Sequence, residues 1–103
     1  IKAVENTSKI IYNYEKEIKE WFKEDSKYFD DIGFSDIFSA LSKGKMNGIL
    51  NGKHGERYWK NTENVYREIF ANLSAIDVLN CESKKECTGI LKEVYEAYKE
   101  LIA

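Results

Sequence analysis

The spacing of apolar residues is the feature that most restricts what this chain can fold into. Three long stretches place an apolar side chain at every third or fourth position, with charged residues between, as in helices that bury one face. They cover residues 3–24, 63–78 and 84–102, and a shorter one covers 35–43. The absence of proline and the 14% aromatic content agree with a compact helical body. We therefore predict one mainly α domain over residues 1–103, with about four helices.

Several residues mark where these helices begin and pack. Thr62 is a good N-cap for the third helix, and Ser83 and Glu86 have the spacing of a capping box for the fourth. Because only residues 79–83 connect these two helices, we expect them to pack as an antiparallel pair. The predicted inward faces comprise Ile11, Tyr14, Ile18, Trp21, Phe22, Ile37, Phe38, Leu41, Tyr66, Ile69, Phe70, Leu73, Ile76, Cys87, Ile90, Leu91, Val94, Tyr98 and Leu101.

The segment between the second and third helices differs from the rest. It holds four of the six glycines, and Asn-Gly pairs occur at residues 47–48 and 51–52. Asn-Gly favours tight hairpin turns because both residues tolerate positive φ. We therefore predict a short glycine-rich β-hairpin here, with Met46, Ile49 and Leu50 in its strands.

This segment is also the basic part of the chain. Residues 43–60 carry a net charge of +4, whereas the remainder carries −6. The lysines either keep a flexible loop soluble or contact an anionic partner. For the second alternative we select Lys53, His54, Arg57 and Tyr58 as contact residues, with Trp59 turned inward to anchor the loop.

Catalytic and metal sites find little support in the residue types. His54 is the only histidine, so one copy of the chain has neither a two-histidine metal site nor a histidine pair for catalysis. Cys81 and Cys87 are interpreted as reduced thiols, with a disulfide in a secreted protein as the alternative. We predict no cofactor, no metal and no small-molecule substrate.

Three motifs, SDIFSALSKG at residues 35–44, GKHGERYW at 52–59 and EIFANL at 68–73, occur in an order that resembles a known family. The family is the C-terminal domain of minor head (capsid) proteins of tailed phages and prophages of Gram-positive bacteria. The resemblance covers about residues 34–102 and implies a non-catalytic structural protein whose partners are phage head or portal proteins. It also implies a location in the host cytoplasm or the virion.

The same arrangement resembles a degenerate zinc-metallopeptidase (zincin-like) fold. That resemblance places Ser35 and Ser39 where two zinc-binding histidines would stand, Asp36 at the catalytic glutamate and Glu68 at the later glutamate ligand. Serine hydroxyls are poor zinc ligands, so the resemblance implies a retained fold without the chemistry. A glutamate that bonds His54 or a tyrosine hydroxyl is an equally good interpretation of Glu68.

Three classes of function remain open at this point. The first is a phage structural domain that acts through protein–protein contacts. The second is a nucleic-acid-binding accessory module that uses the basic loop 43–60, and the third is a metallopeptidase-like effector with lost or residual activity. No apolar run approaches the roughly 20 residues of a membrane span, so we expect no membrane contact. Because residue 1 is not Met, we expect the chain to be a domain excised from a longer protein.

Overall fold

The structure is a computed structural model that describes residues 2–79 and 89–102. The helices are α1 (Lys2–Ile10), α2 (Glu15–Glu24), α3 (Ser26–Asp31), α4 (Phe34–Leu41), α5 (Glu56–Trp59), α6 (Thr62–Leu79) and α7 (Lys92–Ile102). A 3-10 helix at Ile11–Tyr14 joins α1 to α2. The prediction of a mainly helical chain is confirmed for the described residues, although the first predicted helix is divided into α1 and α2 and two further short helices, α3 and α5, occur.

The centre of the fold is α4, which is surrounded by other elements. Every residue of α4 except Asp36 is buried, including Ser35 and Ser39. A helix that is enclosed on nearly all sides belongs to the interior of a domain. Its most extensive packing is against α6, and α3 and α1 also contact it. The α4–α6 pair therefore forms the frame on which the candidate site is built.

A cluster of aromatic rings fixes α2, α3 and α4 relative to each other. Phe29 stacks on Phe38 and meets Phe34 edge-on, with ring centroids 5.8 and 5.4 Å apart. Trp21 from α2 stacks on Phe34 at 5.8 Å. Offset and edge-to-face arrangements of this kind stabilise beyond the burial of apolar area.

The turn between α3 and α4 depends on Gly33. Its φ of +86° lies in the left-handed region, where a side chain is strained. Its N–H donates to the carbonyl of Asp30 at 3.0 Å, and its own carbonyl accepts from Ile37 N–H at 3.1 Å. One residue thus ends α3 and starts α4.

The predicted β-hairpin was wrong. Residues 42–49 form consecutive turns, with Asn47 N–H donating to the Gly44 carbonyl and Ile49 N–H to the Met46 carbonyl. Met46 and Leu50 are both buried, but the backbone hydrogen bonds around them join residues three apart, as in turns, rather than two paired strands. No strand occurs in residues 2–79 or 89–102.

Other sequence predictions meet mixed outcomes. Most of the predicted inward faces lie in the core or against it, but Leu101 is 63% exposed. The N-cap of α6 is Asn61 rather than Thr62, because the Asn61 side chain accepts from Glu63 N–H at 3.0 Å. The last helix, α7, contacts α6 but packs more extensively on α1. The predicted pairing of the last two helices therefore accounts for only part of the packing of α7. The capping box at residues 83–86, Cys81 and Cys87 lie outside the described residues.

Candidate functional site

The α4–α6 frame and the loop before α5 bring five polar residues to one side of the molecule. We call Asp36, Lys53, His54, Tyr58 and Glu68 the polar cluster. Asp36 lies in the first turn of α4, Glu68 in the middle of α6, and the other three in the loop and α5. Asp36 and Glu68 are 32 positions apart in sequence, yet they share one electrostatic environment. The charges of Glu68, Lys53 and His54 all affect the Asp36 carboxyl group.

Glu68 contacts two other members of the polar cluster, Tyr58 and His54. Its Oε1 accepts a hydrogen bond from the Tyr58 hydroxyl at 3.0 Å and lies 3.6 Å from Nε2 of His54. The imidazole of His54 stacks on the Tyr58 ring with centroids 3.7 Å apart. Partial burial, followed by the hydrogen bond to Glu68, raises the pKa of Tyr58 above its ordinary value of 10.0. This geometry matches the interpretation of Glu68 as a partner of His54 and a tyrosine hydroxyl.

His54 is held through its backbone as well as its ring. Its carbonyl accepts from the Trp59 indole N–H at 3.1 Å and from Asn47 Nδ2 at 2.7 Å. Trp59 is 2% exposed, as predicted for the residue that anchors the loop. Since a buried indole and an amide fix the same carbonyl, the loop around His54 has a defined position.

The two serines at the zinc-ligand positions of the metallopeptidase resemblance have structural partners. The Ser35 hydroxyl donates to Asp30 Oδ1, and Asn51 Nδ2 donates to the other oxygen of that carboxylate at 2.6 Å. The Ser39 hydroxyl donates to Asn47 Oδ1 at 2.7 Å. Both hydroxyls therefore tie α4 to neighbouring segments.

Asp36 is the half-buried exception on α4. Its pKa is raised above the ordinary 3.8, first by burial and then by Glu68 and Asp30, while Lys53 and His54 oppose the shift. A carboxyl group with a raised pKa among other carboxylates is a feature that active sites share with structural clusters.

The predicted contact residues separate into two groups. Lys53 and Arg57 are exposed, so they are accessible to a partner. His54 and Tyr58 are half-buried and engaged with Glu68, so they stabilise the loop. Of the four positions in the metallopeptidase resemblance, Asp36 and Glu68 lie in the polar cluster. The other two, Ser35 and Ser39, bond Asp30 and Asn47 instead.

The side-chain arrangement bears on metal binding and on nucleophilic catalysis. Within residues 2–76 and 89–102, no three His, Cys, Asp or Glu side chains are arranged to hold a metal ion. In that same part of the chain, no serine or threonine hydroxyl bonds His54, so a nucleophile–base pair is not formed there.

Asn47 and Asn72 contribute to this region but were not selected from the sequence. Asn47 bonds both Ser39 and the His54 carbonyl. The amide of Asn72 donates to the Glu68 carbonyl at 2.7 Å, and its side chain lies against Gly33. The Asn-Gly context of Asn47 favours a hairpin turn. Nothing in the sequence shows that its side chain bridges helix and loop.

Comparison with known proteins adds no relative. No protein-family model, no curated protein and no solved structure matches the chain. Among the described helices, none combines the length and the apolarity that crossing a membrane requires.

Proposed function

We propose that this chain is a non-catalytic domain that acts through protein–protein contacts, of the kind found in phage or prophage head proteins. The observation that carries the proposal is that the Ser35 and Ser39 hydroxyl groups both make hydrogen bonds within the fold. The positions that would supply two zinc ligands in a metallopeptidase instead donate hydrogen bonds to Asp30 and Asn47. These bonds stabilise the α4 frame, and serine is a poor zinc ligand.

The contact surface in this proposal is the exposed basic side of the loop. Lys53 and Arg57 provide charge and, for arginine, a side chain that interfaces favour. Trp59 is buried, the Tyr58 hydroxyl donates a hydrogen bond to Glu68, and His54 Nε2 lies 3.6 Å from the same carboxylate. A loop held this way loses little conformational entropy when a partner binds.

Binding measurements with purified phage head and portal proteins test the proposal. We expect saturable binding, and we expect Lys53→Glu with Arg57→Glu to weaken it at least about tenfold. The matched control is Lys16→Glu with Lys19→Glu, which makes the same change of charge on the exposed face of α2 and should leave binding unchanged.

Two further assays make the proposal falsifiable. Hydrolysis of casein in the presence of zinc, abolished by Glu68→Gln, would overturn it in favour of a metallopeptidase-like effector. Binding of single-stranded DNA that falls steeply with salt, without binding to head or portal proteins, would favour the nucleic-acid-binding module. The +4 charge of residues 43–60 is the observation behind that alternative.

A further inference from the structure

A groove lies away from the polar cluster, between α1, the end of α4 and the start of α6. Its volume is about 410 Å³. Its lining includes the ring of Tyr12, which is 44% exposed, and three apolar side chains that are almost fully buried, Val4, Leu41 and Val65. A depression with an apolar lining of this size accommodates one or two side chains of a partner.

Lysines surround this groove and extend beyond it. Lys9, Lys43 and Lys45 line it, and a second depression of about 340 Å³ is lined by Lys43, Lys45 and Lys60. Thr62 also lines both. Because the two depressions share these residues, they form one continuous surface, which we call the lysine groove.

The charge of the lysine groove is not neutralised within the protein. In the described part of the chain, none of its four lysines lies within 4.0 Å of a carboxylate. Two glutamates line the surface, Glu5 and Glu56. Glu5 is engaged by Tyr66, whose pKa is raised by burial and then by that carboxylate. A positive surface thus persists on a chain whose net charge is −2.

We infer that the lysine groove binds an acidic segment of a partner protein, with an apolar side chain of that segment against the exposed ring of Tyr12. The inference rests on the proposed function, because it identifies a second contact surface and the chemistry of its occupant. Charge complementarity selects an acidic occupant. The depression has room for one or two side chains, so it favours a peptide that carries apolar side chains between its acidic residues over a nucleic-acid backbone, which is charged at every nucleotide.

Fluorescence anisotropy tests this inference with a labelled peptide in which Asp and Glu alternate with Leu. The comparison peptide replaces the acids by Asn and Gln. We expect saturable binding of the acidic peptide, weakened at least about tenfold by Lys43→Glu with Lys45→Glu. Lys16→Glu with Lys19→Glu is the control with equal charge change and should leave the affinity unchanged. Thr62→Trp, at an exposed position that lines both depressions, should block binding without a change of charge.

Each alternative outcome overturns the inference. These outcomes are equal binding of the neutral peptide, equal weakening by the two lysine pairs, or saturable binding of a labelled oligothymidine in place of the peptide. Thermal melts of each variant show whether it is folded. Lys53→Glu with Arg57→Glu should retain peptide binding. If the peptide fails to bind while head or portal proteins bind through Lys53 and Arg57, the lysine groove is excluded and the proposed function stands.

Discussion

At Gly33, both the backbone conformation and the close packing of Asn72 oppose the addition of a Cβ atom. Its φ is +86°, and an added Cβ would lie 2.3 Å from Oδ1 of Asn72. We expect Gly33→Ala to lower the free energy of unfolding by about 1–3 kcal/mol, as measured by urea denaturation. Gly48→Ala is the matched control, since no atom lies within 4 Å of its added Cβ. Partial recovery in Gly33→Ala with Asn72→Ala would separate the clash from the backbone strain. An unchanged stability in Gly33→Ala contradicts the geometry.

Asp36 is expected to oppose folding when it is charged. Its pKa is raised in the folded state, chiefly by burial, so the stability that it contributes is present below pH 3.8 and is lost as pH rises through its folded pKa. Asp36→Asn should therefore melt at a higher temperature than the wild type at pH 7, with a difference that vanishes in acid. Asp31→Asn, at a carboxylate that is 61% exposed and paired with Lys27, should show no such gain. A lower melting temperature for Asp36→Asn at pH 7 would count against this account.

The titration of the Tyr58 hydroxyl tests its hydrogen bond to Glu68. Partial burial and then the hydrogen bond to Glu68 raise the pKa of Tyr58, so its contribution to stability is present below pH 10.0 and is lost as pH rises through the raised pKa. We expect Glu68→Gln to lower the pKa of Tyr58 toward 10.0 in a spectrophotometric titration, with Tyr58→Phe identifying the signal. Glu63→Gln, an exposed change on the same helix, should leave the titration as it is. An identical tyrosine titration in Glu68→Gln would show that the bond is absent.

At the scale of elements, Asn47 joins the glycine-rich loop to α4. It accepts from the Ser39 hydroxyl and donates to the His54 carbonyl, both at 2.7 Å. Asn47→Ala should cost about 2 kcal/mol of stability, because each lost bond contributes about 1 kcal/mol. We also expect faster proteolysis within residues 48–55, with little change in α6. Asn51→Ala removes one exposed bond to Asp30 and should have a smaller effect. Equal effects of the two substitutions would mean that Asn47 does not anchor the loop.

At the scale of the whole molecule, one hydrophobic cluster connects the first helix to the last. Leu91 is fully buried in the same cluster as Val4, Ile69 and Trp59. Leu91→Ala should lower the stability by about 2–5 kcal/mol and shift tryptophan fluorescence and helical circular dichroism together. Leu101→Ala is the same chemical change at a 63% exposed position and should stay within about 0.5 kcal/mol. Separate transitions for the two signals would indicate that the ends of the chain fold independently.

The amino-acid sequence determined the helices through local spacing. Apolar residues recur at the helical period around Ile18, Ile69 and Leu73, and all three are buried. The position of α4 followed from Ile37, Phe38 and Leu41 in the same way. Trp59 was also predicted to turn inward, because a large aromatic residue beside a helix start has an apolar surface to bury. These features depend on neighbours within one or two turns, so the sequence alone contains them.

The tertiary structure decided what the polar residues do. The sequence predicts a hairpin turn at Asn47, but the Asn47 side chain bridges Ser39 and His54. Met46 and Leu50, which were expected in strands, are buried in the core from within a series of turns. Leu101 continues the apolar period yet is exposed, because the burial of a helix residue depends on what packs against that turn. The association of Asp36 with Glu68 depends on how α4 crosses α6. Contacts between residues distant in sequence arise from packing in three dimensions, which no local spacing specifies.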